Sequence, residues 1–231
     1  MTAPADRLRV TAVIPTLNEA DTIAAVIAAL PRDAVDEVIV ADGGSRDGTA
    51  EIAAHAGARV IAAPRGYGAA CAAAADAGYG IILFLDGDGA DRADLAGTLL
   101  APIQAGTYDF VIGSRVRGER EPGAMAWHQV VAGRLAGWLI SRLYGVRYTD
   151  MCAFRAIRRD ALERLAMQET GYGWNIEMQM KAARAGLRIL ELPVLYRRRA
   201  GGRSKVAGSL RGSLRAAWRI VLTVGRIAAG R

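Results

Sequence analysis

The sequence has only two cysteines and two histidines among 231 residues, and this scarcity removes several kinds of chemistry at once. Cys71 and Cys152 are far apart and stand in no CxxC pattern, so neither a zinc cluster nor a disulfide framework is expected. A reducing, cytosolic compartment fits that usage. No uncharged apolar stretch reaches the roughly 18 residues of a membrane span, so no transmembrane helix is expected. The opening MTAPADRLRV lacks an apolar signal core, since Asp6 and Arg7 interrupt it early. There is no GxxxxGK[ST] phosphate loop. The Gly66-Tyr67-Gly68 turn places Cys71 where the third glycine of a dinucleotide fingerprint belongs. A calcium loop starting at Asp86 would need glycine at Asp91 and glutamate at Gly97, and that reading fails too.

What remains is a folded chain. Hydrophobic residues make up 52% of it, and its length suits one large or two small domains. Its net charge of +7 is unevenly placed: from Leu192 onward there is no acid, while ten basic residues run from Arg197 to Arg231. The rest of the chain is therefore acidic on balance. Within this tail, 208–231 is a candidate amphipathic basic helix, with Leu210, Leu214, Trp218, Val221 and Val224 near one face. It could lie on an anionic membrane or pack against its own domain.

Residues Ile81–Asp88, IILFLDGD, form an uncharged apolar run that stops at two carboxylates, Asp86 and Asp88. A strand covered on both faces of a parallel sheet has this pattern. Four other segments, Leu8–Ile14, Asp36–Asp42, Ala58–Pro64 and Tyr108–Ser114, also read as strands. Ala-rich helical stretches separate them, so an α/β fold with a mostly parallel sheet is predicted. Ligands of such sheets gather at the carboxyl ends of the strands, where Asp86 and Asp88 would stand. Beyond Ser114 the alternation stops. Ala124–Tyr144 and Trp174–Ala185 read as helices and Arg188–Tyr196 as a further strand.

Each strand end carries a small motif: PTLNE after the first, DGGSRDGT at the second, PRGYG after the third, DGDGAD after the fourth and GSR at the fifth. Taken in order, and continued through TDMCAFRAIRRDAL and YRRRAGGRSK, they resemble the inverting family-two glycosyltransferases of the GT-A, Rossmann-like fold. Within that family they are most similar to the dolichyl- and polyprenyl-phosphate mannose or glucose synthases. The likeness covers about Val10 to Lys205.

The resemblance implies a metal-dependent transfer of a hexose from a UDP- or GDP-sugar to a polyprenyl or dolichyl phosphate. In the donor half, about 8–114, Pro15, Thr16, Asn18 and Glu19 would line the nucleotide end. Asp42 would meet base or ribose, with Gly44 and Ser45 letting the backbone approach. Gly66 and Gly68 would widen the same wall, Asp86, a catalytic candidate, would face the sugar or ribose beside Gly87, and Asp88 would hold Mg2+ or Mn2+. In the acceptor half, about 115–207, Arg115 and Arg117 would meet the acceptor phosphate. Arg199, Arg203, Ser204 and Lys205 would close over the diphosphate, beside a Gly201-Gly202 hinge.

Two departures stand out. Gly87 sits where related synthases often carry Ala or Ser, and Ala90 where some carry Gln. A phosphate acceptor is already ionised and needs no base, whereas a soluble hydroxyl acceptor would need a carboxylate, and Asp150 or Glu177 could supply it. Either acid could instead form an ion pair with Arg155 or Lys181. A non-catalytic anion-binding protein would leave the ordered strand-end motifs unexplained. The tail also lacks the aromatic interleaving of a single-strand nucleic-acid binder, so no nucleic-acid partner is expected. Any membrane contact would be peripheral, and the sequence leaves the oligomeric state open.

Overall fold

The computed structural model describes residues 7–125, 127–201 and 223–227. The first half alternates as expected: β1 (Val10–Thr16), α1 (Ile23–Ala29), β2 (Glu37–Asp42), α2 (Thr49–His55), β3 (Arg59–Ala62), α3 (Tyr67–Asp76) and β4 (Ile81–Phe84). A single 3-10 turn, Ala93–Leu95, leads into α4 (Ala96–Gln104) and β5 (Phe110–Ser114). The acceptor half adds α5 (Trp127–Tyr144), β6 (Arg155–Arg158), α6 (Arg159–Leu165), α7 (Trp174–Arg184) and β7 (Ile189–Pro193).

The strands form one sheet in the order β3-β2-β1-β4-β6-β5-β7. All pairings are parallel except those of β6, which runs antiparallel to both β4 and β5. The chain winds outward from β1 through β2 to β3, then returns to place β4 on the other side of β1. That reversal opens a crevice at the carboxyl ends of β1 and β4, the position where open α/β sheets bind ligands. β4 sits centrally with all four residues buried, which explains its uninterrupted apolar sequence.

β6 and α6 are the elements that the apolar pattern did not announce. Arg155 opens β6 and is completely buried, so the strand reads as charged in the sequence. Its guanidinium donates to the carbonyls of Cys152 (2.9 Å) and Asn175 (3.0 Å), which satisfies the buried donors without a carboxylate. An edge-to-face contact of Phe84 with Trp174, with ring centroids 6.3 Å apart, ties β4 to α7.

Most of the C-terminal stretch 208–231 lies outside the described residues. Its described part, 223–227, is helical and packs on the domain: Thr223 and Ile227 are each 2% exposed. Thr223 Oγ1 donates to Glu169 at 2.8 Å, and Arg226 pairs with Glu177 at 3.3 Å. For these five residues, packing on the protein's own domain is the arrangement found. Among the described residues no helix is long and apolar enough to cross a membrane.

Candidate active site

Two loops zip together at the carboxyl ends of β1 and β2. Thr16 and Asp42 are register partners at the ends of β1 and β2, and the Thr16 hydroxyl donates to Asp42 Oδ1 at 3.2 Å. Asp42 Oδ2 accepts the backbone N–H groups of Gly44 (3.1 Å) and Ser45 (2.9 Å), and the Ser45 hydroxyl also binds this carboxylate. Asp42 is thus committed to building the turn. Gly44 takes φ of +90°, which only glycine adopts without strain. On the adjoining β1 loop Asn18 also lies in the left-handed region, at φ 56°. Its N–H donates to Ser45 Oγ (2.8 Å) and its side-chain oxygen accepts the Arg46 N–H (2.9 Å). Pro15, Thr16, Asn18, Glu19, Asp42, Gly44 and Ser45 are therefore assembled on adjoining loops.

The DGD turn closes the crevice from the β4 side. The Thr22 hydroxyl donates to the Gly87 carbonyl at 2.6 Å, and a Cβ on Gly87 would lie 3.2 Å from Thr16 Cγ2. This close approach accounts for glycine between the two acids. Asp88 is buried, and its Oδ1 accepts the Ala90 N–H at 2.9 Å. Its Oδ2 lies 2.7 Å from Arg199 Nη2, while Arg199 Nη1 is 3.5 Å from Glu19. The Ala200 N–H donates to the Asp88 carbonyl, so the chain after β7 lies directly on the DGD turn.

A third acid belongs here that the sequence reading left out. Asp91 Oδ2 accepts the Asp86 N–H at 3.2 Å, and Asp91 pairs with Tyr196 in an antiparallel bridge. Burial, with the neighbouring Asp88 charge, pushes the Asp86 carboxyl up to about 6. Burial, Asp86 and Asp88 push Asp91 up to about 8. Crowded acids in a buried crevice raise one another in this way, and a cation relieves them. The DGDGAD string contained Asp91, but only the return of the chain through Tyr196 shows that it faces inward.

The acceptor-half residues are bonded differently from the expectation. Arg115 grips Asp150 in a two-pronged fork, Nε to Oδ2 and Nη2 to Oδ1, both at 2.7 Å. Asp150 also accepts the backbone N–H groups of Arg115 and Met151. Burial alone would raise this carboxyl, but Arg115 holds it below its ordinary value. With four donors in place and its proton affinity lowered, Asp150 is ill suited to act as a general base. Arg117 Nη1 donates to the Glu191 carbonyl (2.9 Å), and Glu191 in turn takes the N–H groups of Thr149 and Asp150.

Glu177 is fully buried. It accepts N–H groups from Gln168 (3.1 Å) and Glu169 (2.6 Å) and pairs with Lys181 at 3.0 Å. It holds the loop before α7, so placing it over the sugar is corrected. The expected ion-pair partners are half right: Lys181 does pair with Glu177, but Asp150 takes Arg115 and not Arg155.

Gly66 and Gly68 also serve another purpose. A Cβ on Gly66 would come within 2.4 Å of the Thr170 carbonyl oxygen, and one on Gly68 within 2.2 Å of that of Glu169. They let α3 abut the loop before α7, and widening the nucleotide wall is not what fixes them. Arg203, Ser204 and Lys205 lie outside the described residues, as does Gly202 of the hinge.

A crevice at the β1–β4 reversal, walled by two zipped loops and floored by three acids, defines a GT-A glycosyltransferase domain. Residues 11–166 match the sequence profile described as Glycosyl transferase family 2, and the chain belongs to that family. It is 38% identical to an uncharacterised glycosyltransferase of Mycobacterium bovis, over 92% of this chain and 97% of that one. It is 33% identical to the undecaprenyl-phosphate mannosyltransferase of Micrococcus luteus, over 89% and 90% of the two chains. Among solved structures, it resembles glucosyl-3-phosphoglycerate synthase of Mycobacterium tuberculosis in complex with Mn2+, UDP-glucose and phosphoglyceric acid. That match has a TM-score of 0.75 at 23% identity, covering 96% of this chain and 80% of the other. The protein is an enzyme, a glycosyltransferase.

Proposed function

We propose that this enzyme transfers a hexose, with inversion, from a UDP- or GDP-sugar to a polyprenyl phosphate at a membrane surface. The observation that carries the acceptor choice is the bonding of Asp150 and Glu177. Both acids that the acceptor half offered as a base for a hydroxyl are saturated by fixed donors, whereas a phosphate oxygen is a nucleophile without a base. The names of relatives point the same way: a 30% identical protein of Mycolicibacterium smegmatis is a polyprenol monophosphomannose synthase.

In this reading a donor half, about 8–114, and an acceptor half, about 115–207, meet over the DGD turn. The acceptor phosphate oxygen bonds to the sugar C1 as the C1–O bond to the diphosphate breaks, and the electron pair leaves with the diphosphate. Asp88, now holding a guanidinium, presents the charge and burial that would suit Mg2+ or Mn2+. Among the described residues no three His, Cys, Asp or Glu side chains are arranged to hold a metal alone. Asp88 would therefore hold a divalent ion firmly only together with the bound donor. When bound, the ion would supply charge neutralisation to the leaving diphosphate. Arg199, with Arg203, Ser204 and Lys205 beyond it, would grip the diphosphate. Arg115 engages Asp150 through Nε and Nη2, leaving Nη1 for the acceptor phosphate, with Arg117 beside it. Asp86 would face the sugar.

The test incubates the pure protein with labelled UDP- and GDP-hexoses, with or without polyprenyl phosphate, in Mn2+ or EDTA. Product that requires both the lipid phosphate and the metal is the expected result. Transfer to a soluble hydroxyl acceptor without the lipid would overturn the acceptor assignment.

A further inference from the structure

Helix α5 is apolar on two opposite faces. One face packs inward: Ala136 and Ile140 are buried, and a Cβ on Gly137 would lie 2.0 Å from the Tyr148 carbonyl oxygen. On the other side Val131, Leu135 and Trp138 recur at helical spacing and are 53%, 62% and 60% exposed, with Leu143 beside them at 46%. A helix that already has its core contact normally turns polar residues outward. Among the described side chains of this face those that are not apolar are cationic: Arg134 and Arg142 are exposed within the stripe, and Arg147 follows just past its end. The whole 18-residue helix contains no acid.

We infer that this outer face of α5 is the surface by which the enzyme docks on an anionic bilayer. The inference rests on the polyprenyl-phosphate reading above, and it places the contact on a described helix and not on the C-terminal tail. Trp and Leu would enter the interface, while the arginines extend to lipid phosphates. An acid-free apolar face matches a negatively charged lipid surface in both respects. Its position also suits the reaction. Gly133 of the same helix approaches Asp150 closely, with a Cβ there 3.7 Å from Asp150 Oδ1, and Asp150 carries Arg115. A lipid phosphate lifted from the bilayer beside α5 would thus meet Arg115 without leaving its membrane.

The test is sedimentation of the full chain with vesicles of phosphatidylcholine alone or mixed with phosphatidylglycerol. Wild type is expected to sediment with the anionic vesicles. Leu135→Glu and Trp138→Glu are each expected to lower the partition coefficient by about tenfold, since each replaces a largely exposed apolar group by an anion. UDP and GDP binding by calorimetry, in Mn2+, should be the same in wild type and both variants, which shows that the fold and donor pocket survive. Variants that partition like wild type would overturn the inference. So would a wild-type dimer in light scattering that Leu135→Glu converts to a monomer while vesicle binding is unchanged. If wild type bound vesicles but no nucleotide, the donor reading would fail and the docking surface would stand.

Discussion

The Arg199 guanidinium lies 2.7 Å from Asp88 Oδ2, on the acid that the sequence marks for a cation. The same side chain reaches toward Glu19, so it bridges the β1 loop and the DGD turn. Arg199 and a divalent ion would then compete for one carboxylate in the nucleotide-free enzyme, and the ion would free Arg199 to turn toward the diphosphate. Arg199→Ala should therefore bind Mn2+ about three- to tenfold more tightly without nucleotide, while its affinity for UDP or GDP falls. Counting free Mn2+ by electron paramagnetic resonance reads the first effect and calorimetry the second. Weaker or unchanged Mn2+ binding would remove the competition.

Asp88→Asn keeps an oxygen for the Ala90 N–H bond but loses the charge. Because losing this charge relieves Asp86 and Asp91 as well as unpairing the partly exposed Arg199, the variant should melt close to wild type, and it should lose about 100- to 1,000-fold in turnover, the scale on which a developing charge is stabilised. Activity within a few-fold of wild type would show that the leaving diphosphate is neutralised elsewhere.

The pair of Asp150 with Arg115 gives a pH signature. Asp150 is nearly inaccessible, and removing one partner of a buried pair costs about 3–5 kcal/mol. Its folded carboxyl is held below the ordinary value, because the bonds from Arg115 outweigh burial. A depressed acid contributes stability above its unfolded pKa of about 3.9 and loses it as pH falls through the folded value. Urea midpoints of wild type and Asp150→Asn should thus differ by a constant amount near neutral pH. The gap should narrow only below about pH 4. A gap that closed already near pH 6 would mean that another group sets it.

Gly68→Ala tests the packing role assigned to the third strand-end motif. The new methyl would meet the Glu169 carbonyl oxygen at 2.2 Å, a backbone contact that cannot rotate away. Overpacking of this kind costs about 1–3 kcal/mol, so the melting temperature should fall by several degrees. A variant with native stability but weakened nucleotide binding would return Gly68 to the donor wall.

The donor half was legible because its chemistry is local. Apolar runs ended at short polar motifs, and the loops after β1 and β2 meet where those motifs predicted. Asp91 and Arg155 were harder to see. Asp91 faces the crevice only because Tyr196, over a hundred residues later, pairs with it. Arg155 is a charge inside a buried strand, satisfied by carbonyls that no pattern of residue types encodes. The partner of Asp150 was equally hidden: Arg115 lies 35 residues away, at the end of the adjacent strand β5.

Glu177 separates a base from a brace. Its carboxylate is fully buried, held by two N–H groups, Lys181 and Arg226, and Arg226 belongs to the 223–227 turn. Glu177→Gln keeps the shape and an acceptor oxygen but leaves two cations under-compensated, so a loss of about 2–4 kcal/mol is expected. The 223–227 turn should loosen with it, giving faster amide exchange there than in α7. Turnover per folded molecule should stay within a few-fold of wild type, because a phosphate acceptor would need no base. Two readouts are thus tied to one substitution, and only one of them should move: stability falls and chemistry is retained. A Glu177→Gln protein that melts like wild type yet loses turnover by about 100-fold would have the signature of a general base. The acceptor would then be a hydroxyl.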